Sequence, residues 1–229
     1  MARDDPFVVR HKTLGAIGEA VQAQAILNRF GAQIVIDFYD QLLLSGLCFH
    51  IQTGTEDAPS TSNTTIDDQK AMIIADCLSG AMIPLFADIN FVSWAAATGI
   101  HAMFEADMDK ARYASGGQVY VPRQMNKAAT SAPAANGTFR TIESADLVAL
   151  AKSAVPASVE LKRTVFSEDA LATVTDGMAG GKPPLFTSKS QVPVILTNPG
   201  SLLLHFGASA DITAYGSLDF AQLDASLVW

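Results

Sequence analysis

The last part of the chain repeats with period two. Leu202, Leu204 and Phe206 alternate with Leu203 and His205. After a turn over Gly207–Asp211, Ile212, Ala214, Leu218 and Phe220 alternate with Thr213, Tyr215, Ser217 and Asp219. Successive side chains of an extended strand point to opposite faces, so this pattern builds strands with one buried and one wetter face. Val192–Thr197 reads as the preceding strand, turned by Asn198-Pro199-Gly200. The same alternation sets Ile34, Ile36 and Phe38 against Gln33, Val35 and Asp37, and Leu47, Phe49 and Ile51 against Cys48, His50 and Gln52. Between them lie strand-like runs at Ala71–Ala75, Ile83–Trp94 (with a break near Asp88), Ile100–Ala106 and Val159–Phe166. Gly116-Gly117 turns the chain into a further strand. The positions expected in the core are Ile34, Ile36, Phe38, Leu47, Phe49, Ile51, Ile100, Phe104, Leu161, Leu202, Leu204, Phe206, Leu218 and Phe220.

Two stretches carry helical spacing instead. Over residues 13–30, Leu14, Ile17, Val21 and Ala25 form an apolar stripe between a Thr13 cap and Gly31. Over Ser144–Ala154, Ser144 caps, Leu147 and Leu150 share a face, and Pro156 lies beyond the end. Polar loops fall at Thr53–Asp68, Asn126–Gly137 and Asp176–Pro184, and there is no internal repeat. Many short strands joined by long loops predict an all-β chain. The expectation is an antiparallel β-sandwich of jelly-roll type with an N-terminal helix and one short internal helix. Residues 1–30 form an arm and helix, and residues 31–229 a single sandwich domain. Gly15 and Gly18 weaken the arm helix on its own, so its stripe is expected to pack between subunits. Covering a face of its own sheet is the competing reading.

Composition narrows the partners. The 229 residues are 49% hydrophobic and only 17% charged, which excludes intrinsic disorder and favours burial against other subunits. No apolar run approaches the ~20 residues of a membrane-spanning helix. Net charge is −8, and the one basic cluster, Arg3, Arg10, His11 and Lys12, is diluted by Asp4 and Asp5. Direct nucleic-acid binding is not expected. Met1–Asp5 lacks the apolar core of a secretory signal, so synthesis in a host cytoplasm is expected and the sequons at Asn63 and Asn136 carry little weight. Cys48 and Cys77 make no disulfide framework or metal pattern and read as two separate small buried thiols.

Several stretches resemble known proteins in style. Pro193-Val194-Ile195-Leu196, the Asn198-Pro199-Gly200 turn, Ser201–Phe206 and Ile212–Phe220 resemble the closing strands of jelly-roll virion proteins. Phe49–Thr55, the loop through Ile66-Asp67-Asp68, and Arg112–Gly117 are similar to bacteriophage structural proteins. The resemblance implies a capsid, decoration or appendage role in a virion. Its partners would be copies of itself, as a trimer or higher symmetric assembly, and other virion proteins. It brings no catalytic residues.

Motifs that demand chemistry are absent. Neither Gly116-Gly117 nor Gly180-Gly181-Lys182 has phosphate-loop spacing, and no Gly-x-Ser-x-Gly elbow occurs. His50, His101 and His205 each fall on the wetter face of a predicted strand and together could form a His₃ zinc site. With no His-x-His pair and no carboxylate at a set offset, they read as scattered solvated or interface histidines. Glu105, Asp107 and Asp109 share one strand face; calcium binding and glycoside hydrolysis are the sharp readings, and a solvated strand edge the preferred one. Asp67-Asp68 is read the same way. Trp94, Tyr113, Tyr120, Tyr215 and Trp229 could stack a sugar, but core or interface packing is the safer assignment. A carbohydrate- or receptor-binding sandwich and a glycan-cleaving sandwich enzyme are therefore the alternatives. The expectation is a non-enzymatic protein without catalytic residues, metal or cofactor.

Overall fold

The computed structural model describes residues 38–224 except 56, 62–65, 94–99, 127–133, 143–146, 167–183, 189–193 and 210–211. The arm helix over 13–30, the run at Ile34 and Ile36, Gly180-Gly181-Lys182, Trp94 and Trp229 lie outside the described residues.

Among the described residues one helix, α1 (Phe38–Leu44), precedes the strands. Along the chain follow β1 (Cys48–Thr53), β2 (Ser60–Thr61), β3 (Ile73–Cys77), β4 (Ala81–Ser93) and β5 (Ile100–Asp107). Then come β6 (Tyr113–Gly116), β7 (Gln118–Val119), β8 (Arg123–Gln124), β9 (Gly137–Thr141) and β10 (Leu147–Ala149). The last five are β11 (Ser158–Phe166), β12 (Phe186–Thr187), β13 (Leu196–Thr197), β14 (Gly200–Gly207) and β15 (Thr213–Leu223). Every strand pairing is antiparallel.

One sheet runs β12-β4-β15-β1-β8 and the other β11-β5-β14-β3-β9-β7. Take β1, β3, β4, β5, β11, β12, β14 and β15 and letter them B to I in chain order. The two sheets then read B-I-D-G and C-H-E-F, the double Greek key of a jelly roll. The remaining strands decorate this frame. Residues 108–157, the insert between β5 and β11, supply five of them, β6 to β10.

The core lies between the sheets. Phe49, Ile51, Ala87, Ile89, Leu218 and Phe220 from the first sheet meet Ile73, Ala75, Ile100, Phe104, Leu202, Leu204 and Phe206 from the second. Phe220 stacks between Phe49 and Phe139, with ring centroids 5.7 and 5.4 Å away. The expected core positions from Phe49 onward are buried, apart from Leu161, which like Leu47 is half-buried. Cys48 and Cys77 are separate, free and buried.

Four local expectations need correction. Phe38 opens a helix rather than ending a strand. The helix buries Leu42 against Cys48, Ile83, Ala221 and Leu223 on the outside of the first sheet. The helix expected over Ser144–Ala154 is replaced by the extended β10. The Ala149 N–H donates to the Gln69 carbonyl (2.7 Å), the Ala71 N–H donates to the Leu147 carbonyl (3.3 Å), and β6 pairs on the other side. Inter-strand partners thus take the backbone groups a helix would have paired within itself. β4 runs unbroken through Asp88, which pairs with Ser217; its register shifts come between Phe86 and Pro84 and between Phe91 and Ser93 instead. Lastly, β14 has no wetter face, because all eight residues are buried. Leu203 packs on its outer side with Ile74, Ala71, Leu147 and Ala149, under the insert.

Candidate functional site

Register places polar side chains on the outer face of the second sheet. Asp76 on β3, Ser201 on β14 and Asp107 on β5 are directly opposite one another. One row along, Ile74, Leu203 and Glu105 align, and His205 opposes Met103. Period two puts Asp76 with Ile74, Glu105 with Asp107, and Ser201 with His205 on one side of the sheet. The insert closes over this face and carries Arg112 into it.

Arg112 is wholly buried. Its Nη1 donates to Glu105 Oε1 at 3.2 Å and to Asp107 Oδ2 at 3.5 Å. Its Nε donates to the Leu150 carbonyl (2.5 Å) and its Nη2 to the Asp68 carbonyl (2.6 Å). Its backbone N–H donates to Asp76 Oδ1 (3.0 Å) and Ser201 Oγ (2.8 Å), while Tyr113 N–H reaches Asp76 Oδ2 (3.1 Å). The Ser201 hydroxyl also donates to Asp76. One residue therefore ties together β3, β5, the stretch before β3 and the far end of the insert. A guanidinium fits this place because it stays charged when buried and presents five donors in a fixed fork.

The carboxylates are held individually. Burial pushes the Asp76 carboxyl up, against the pull of the Ser201 hydroxyl and the Arg112 and Tyr113 N–H groups. Burial also opposes ionisation of Asp107. Its bonds from Ser153 and Asp109, with Arg112 nearby, outweigh that and hold it below the usual carboxylate range. Glu105 accepts from the Ser158 hydroxyl at 2.5 Å. The preferred reading of Glu105 and Asp107 as a solvated strand edge is thus wrong. β5 lies between β11 and β14, and both carboxylates are buried. Asp109 is exposed and touches the cluster only through its N–H. Of the other acidic pair, Asp67 caps the Gln69 N–H (2.8 Å), and Asp68 contributes its carbonyl to Arg112.

The three histidines do not meet. His50 lies on the outer face of the first sheet, where its Nδ1 is 2.6 Å from Asp219 Oδ1. That hydrogen bond pushes its pKa up against partial burial. His101 is half-buried on β5. His205, expected on a wetter face, is wholly buried; its Nδ1 contacts the Lys70 carbonyl at 2.8 Å and burial pushes its pKa down. Among the described residues no three His, Cys, Asp or Glu side chains are grouped to hold a metal ion. The tyrosines form no platform either. Tyr113 lies under the Arg140 guanidinium (4.7 Å), Tyr120 packs against the core, and Tyr215 sits half-buried on β15. Sequence reasoning missed Arg112 because a single arginine has no spacing to recognise.

The insert also makes the open side of the sandwich. Among the described strands β7 ends the second sheet and β8 ends the first, so residues 118–124 cross from one edge strand to the other. Along this crossing Tyr120 turns inward, while Val119, Val121 and Met125 face solvent at 61, 79 and 46% exposure. Leu44, 62% exposed, extends the apolar strip. Asn126 Nδ2 donates to the Leu44 carbonyl (2.9 Å), Gln124 Nε2 to the Gly46 carbonyl (2.7 Å), and Met125 N–H to the Cys48 carbonyl (3.0 Å).

No family model and no curated protein matches the chain. Among solved structures it is similar, at 10% identity, to a chain of the unassembled KI polyomavirus VP1 pentamer. The match covers 83% of this chain and 97% of that one, with a TM-score of 0.27. The jelly-roll assignment rests on the strand order above. No helix among the described residues is long and apolar enough to cross a membrane.

Proposed function

We propose that this chain is a non-enzymatic structural subunit of a viral particle, of bacteriophage type, that works by symmetric self-association and contact with other virion proteins. The observation that carries this reading is the apolar strip of Val119, Val121, Met125 and Leu44 along the open side of the sandwich. Large apolar side chains gathered at one place on a surface mark an interaction site. Pro122 sits within the strip and has no N–H to donate, which opposes simple strand-to-strand addition. The contact is therefore made through side chains. The groups that could have served catalysis support the same reading: Glu105, Asp107, Asp76 and Arg112 are buried under the insert and bonded to one another and to backbone.

The test is native mass. The purified protein is expected to run as a trimer or larger. Val121→Asp with Met125→Asp is expected to reduce it to a monomer with its unfolding midpoint nearly unchanged, since exposed substitutions usually move stability by about 0.5 kcal/mol or less. A wild type that stays monomeric at high concentration, or a variant that keeps its full mass, refutes the proposal.

A further inference from the structure

His205 carries an unexplained atom. Its Nδ1 faces the Lys70 carbonyl, an oxygen that can only accept, so Nδ1 holds the ring hydrogen. In the neutral ring Nε2 is then a bare lone pair. It is buried, has no hydrogen-bond partner among the described residues, and lies 3.8 Å from Glu105 Oε2. Two acceptors thus face each other where water does not reach, a placement that calls for an explanation.

The gap sits beside the fastening of the insert. Glu105 Oε1 receives Arg112 Nη1 and the Ser158 hydroxyl, while Oε2 faces His205. The charged groups around the ring are Glu105 on β5, Arg112 from the insert and Asp68 from the stretch before β3; Lys70 contributes its carbonyl. Asp76 accepts from the Arg112 backbone N–H and Asp107 from its Nη1, and Arg163 on β11 also acts electrostatically on Glu105. A proton arriving at Nε2 turns the lone pair into a donor aimed at Glu105 and draws that carboxylate away from Arg112. It also creates a buried cation near the guanidinium, which burial and Arg112 both oppose. The ring is more easily protonated once water enters, so proton uptake favours the opened layer.

We infer that His205 and Glu105 form an acid-operated latch: protonation of His205 at Nε2 loosens Arg112 and releases the insert from the second sheet. Arg112 stands seven residues before Val119, so the same event loosens the backbone that carries the exposed strip. That last link, from latch to association, rests on the function proposed above; the latch itself does not.

Amide hydrogen exchange decides it, read over residues 111–126 and 147–153 and corrected for the intrinsic pH dependence of exchange. In the wild type, protection is expected to fall on the order of tenfold between pH 7.5 and 5.5, since a histidine below its ordinary pKa of about 6.5 gains up to a factor of ten per pH unit. His205→Asn keeps a side-chain N–H for the Lys70 carbonyl and removes the titrating nitrogen, and its protection is expected to be flat. Should that variant fail to fold, ring nitrogen shifts of His205 in the wild type decide instead. The Nδ1–H tautomer at pH 7.5, giving way to imidazolium as protection is lost, supports the latch. An Nε2–H tautomer, an acid-insensitive wild type, an acid response retained in His205→Asn, or stoichiometric zinc lost in that variant overturns it. Light scattering at both pH values separates the two proposals. Exchange that accelerates in a protein monomeric at both pH values keeps the latch and removes the assembly reading; association without acid-dependent exchange does the reverse.

Discussion

At the scale of single residues, the outer face of the second sheet is governed by one cation. Arg112→Met leaves Glu105 and Asp107 buried without their counter-ion, and removing one partner of a buried ion pair costs about 3–5 kcal/mol. Chemical denaturation checks this; a loss near zero would mean that the backbone and serine donors suffice. His50 gives a pH dependence of opposite sign to that of His205. Asp219 raises the pKa of His50 in the folded state, so the pair's contribution is complete below the ordinary value of about 6.5. It disappears as pH rises through the folded value. The stability gap between wild type and His50→Gln is expected to be widest at pH 6 and below and to narrow above it, measured by urea unfolding across pH. The sequence shows which residues share a strand face. It does not show whether that face is wet, because this depends on a segment arriving from elsewhere in the chain. Glu105, Asp107 and His205 were misjudged for this one reason. A clue existed in Ser201–Phe206, where Leu203 interrupts the polar side: apolar residues on both faces are the mark of a strand covered twice.

At the scale of elements, the long jelly-roll strands are legible in the sequence, whereas the two-residue β12 and most of the short decorating strands are not. Long alternating runs such as β14 and β15 carry enough periodicity to declare themselves. β10 has three residues and no period to speak of, and its extended state is imposed by Gln69, Ala71 and β6 through backbone bonds. α1 was hidden because Phe38 continues the alternation of Ile34 and Ile36 before the chain changes direction. The join between β3 and β9 offers a sharp test. A Cβ built on Gly137 would lie 2.1 Å from the Asp76 carbonyl oxygen, backbone against backbone across the pair. Gly137→Ala is therefore expected to cost about 1–3 kcal/mol by overpacking, read from the shift in urea midpoint. Gly117 is constrained differently. Its φ of +62° suits glycine, and an added Cβ would meet Leu147 and the Thr141 carbonyl. Gly117→Ala should also disturb the insert, visible as faster amide exchange over 113–124 while the core strands stay protected.

At the scale of the whole molecule, the first and last long strands among the described residues are neighbours. His50 and Asp219, 169 positions apart, face each other across β1 and β15. β15 also pairs with β4 on its other flank, so the final strand sits inside its sheet, not at the rim. Until Thr213–Leu223 exists as chain, β1 and β4 have nothing to join them. The order of synthesis therefore becomes a timer. A ribosome reading from the N-terminus exposes the strip-bearing insert well before the strand that completes the sheet around β1, where β8 and the strip are seated. Nascent chains halted before Thr213 should be cut readily by protease across residues 48–53, and full-length chains should resist. If that holds and the chain associates as proposed, a half-made chain cannot offer a finished contact surface to other copies, and proofreading of that association begins during translation.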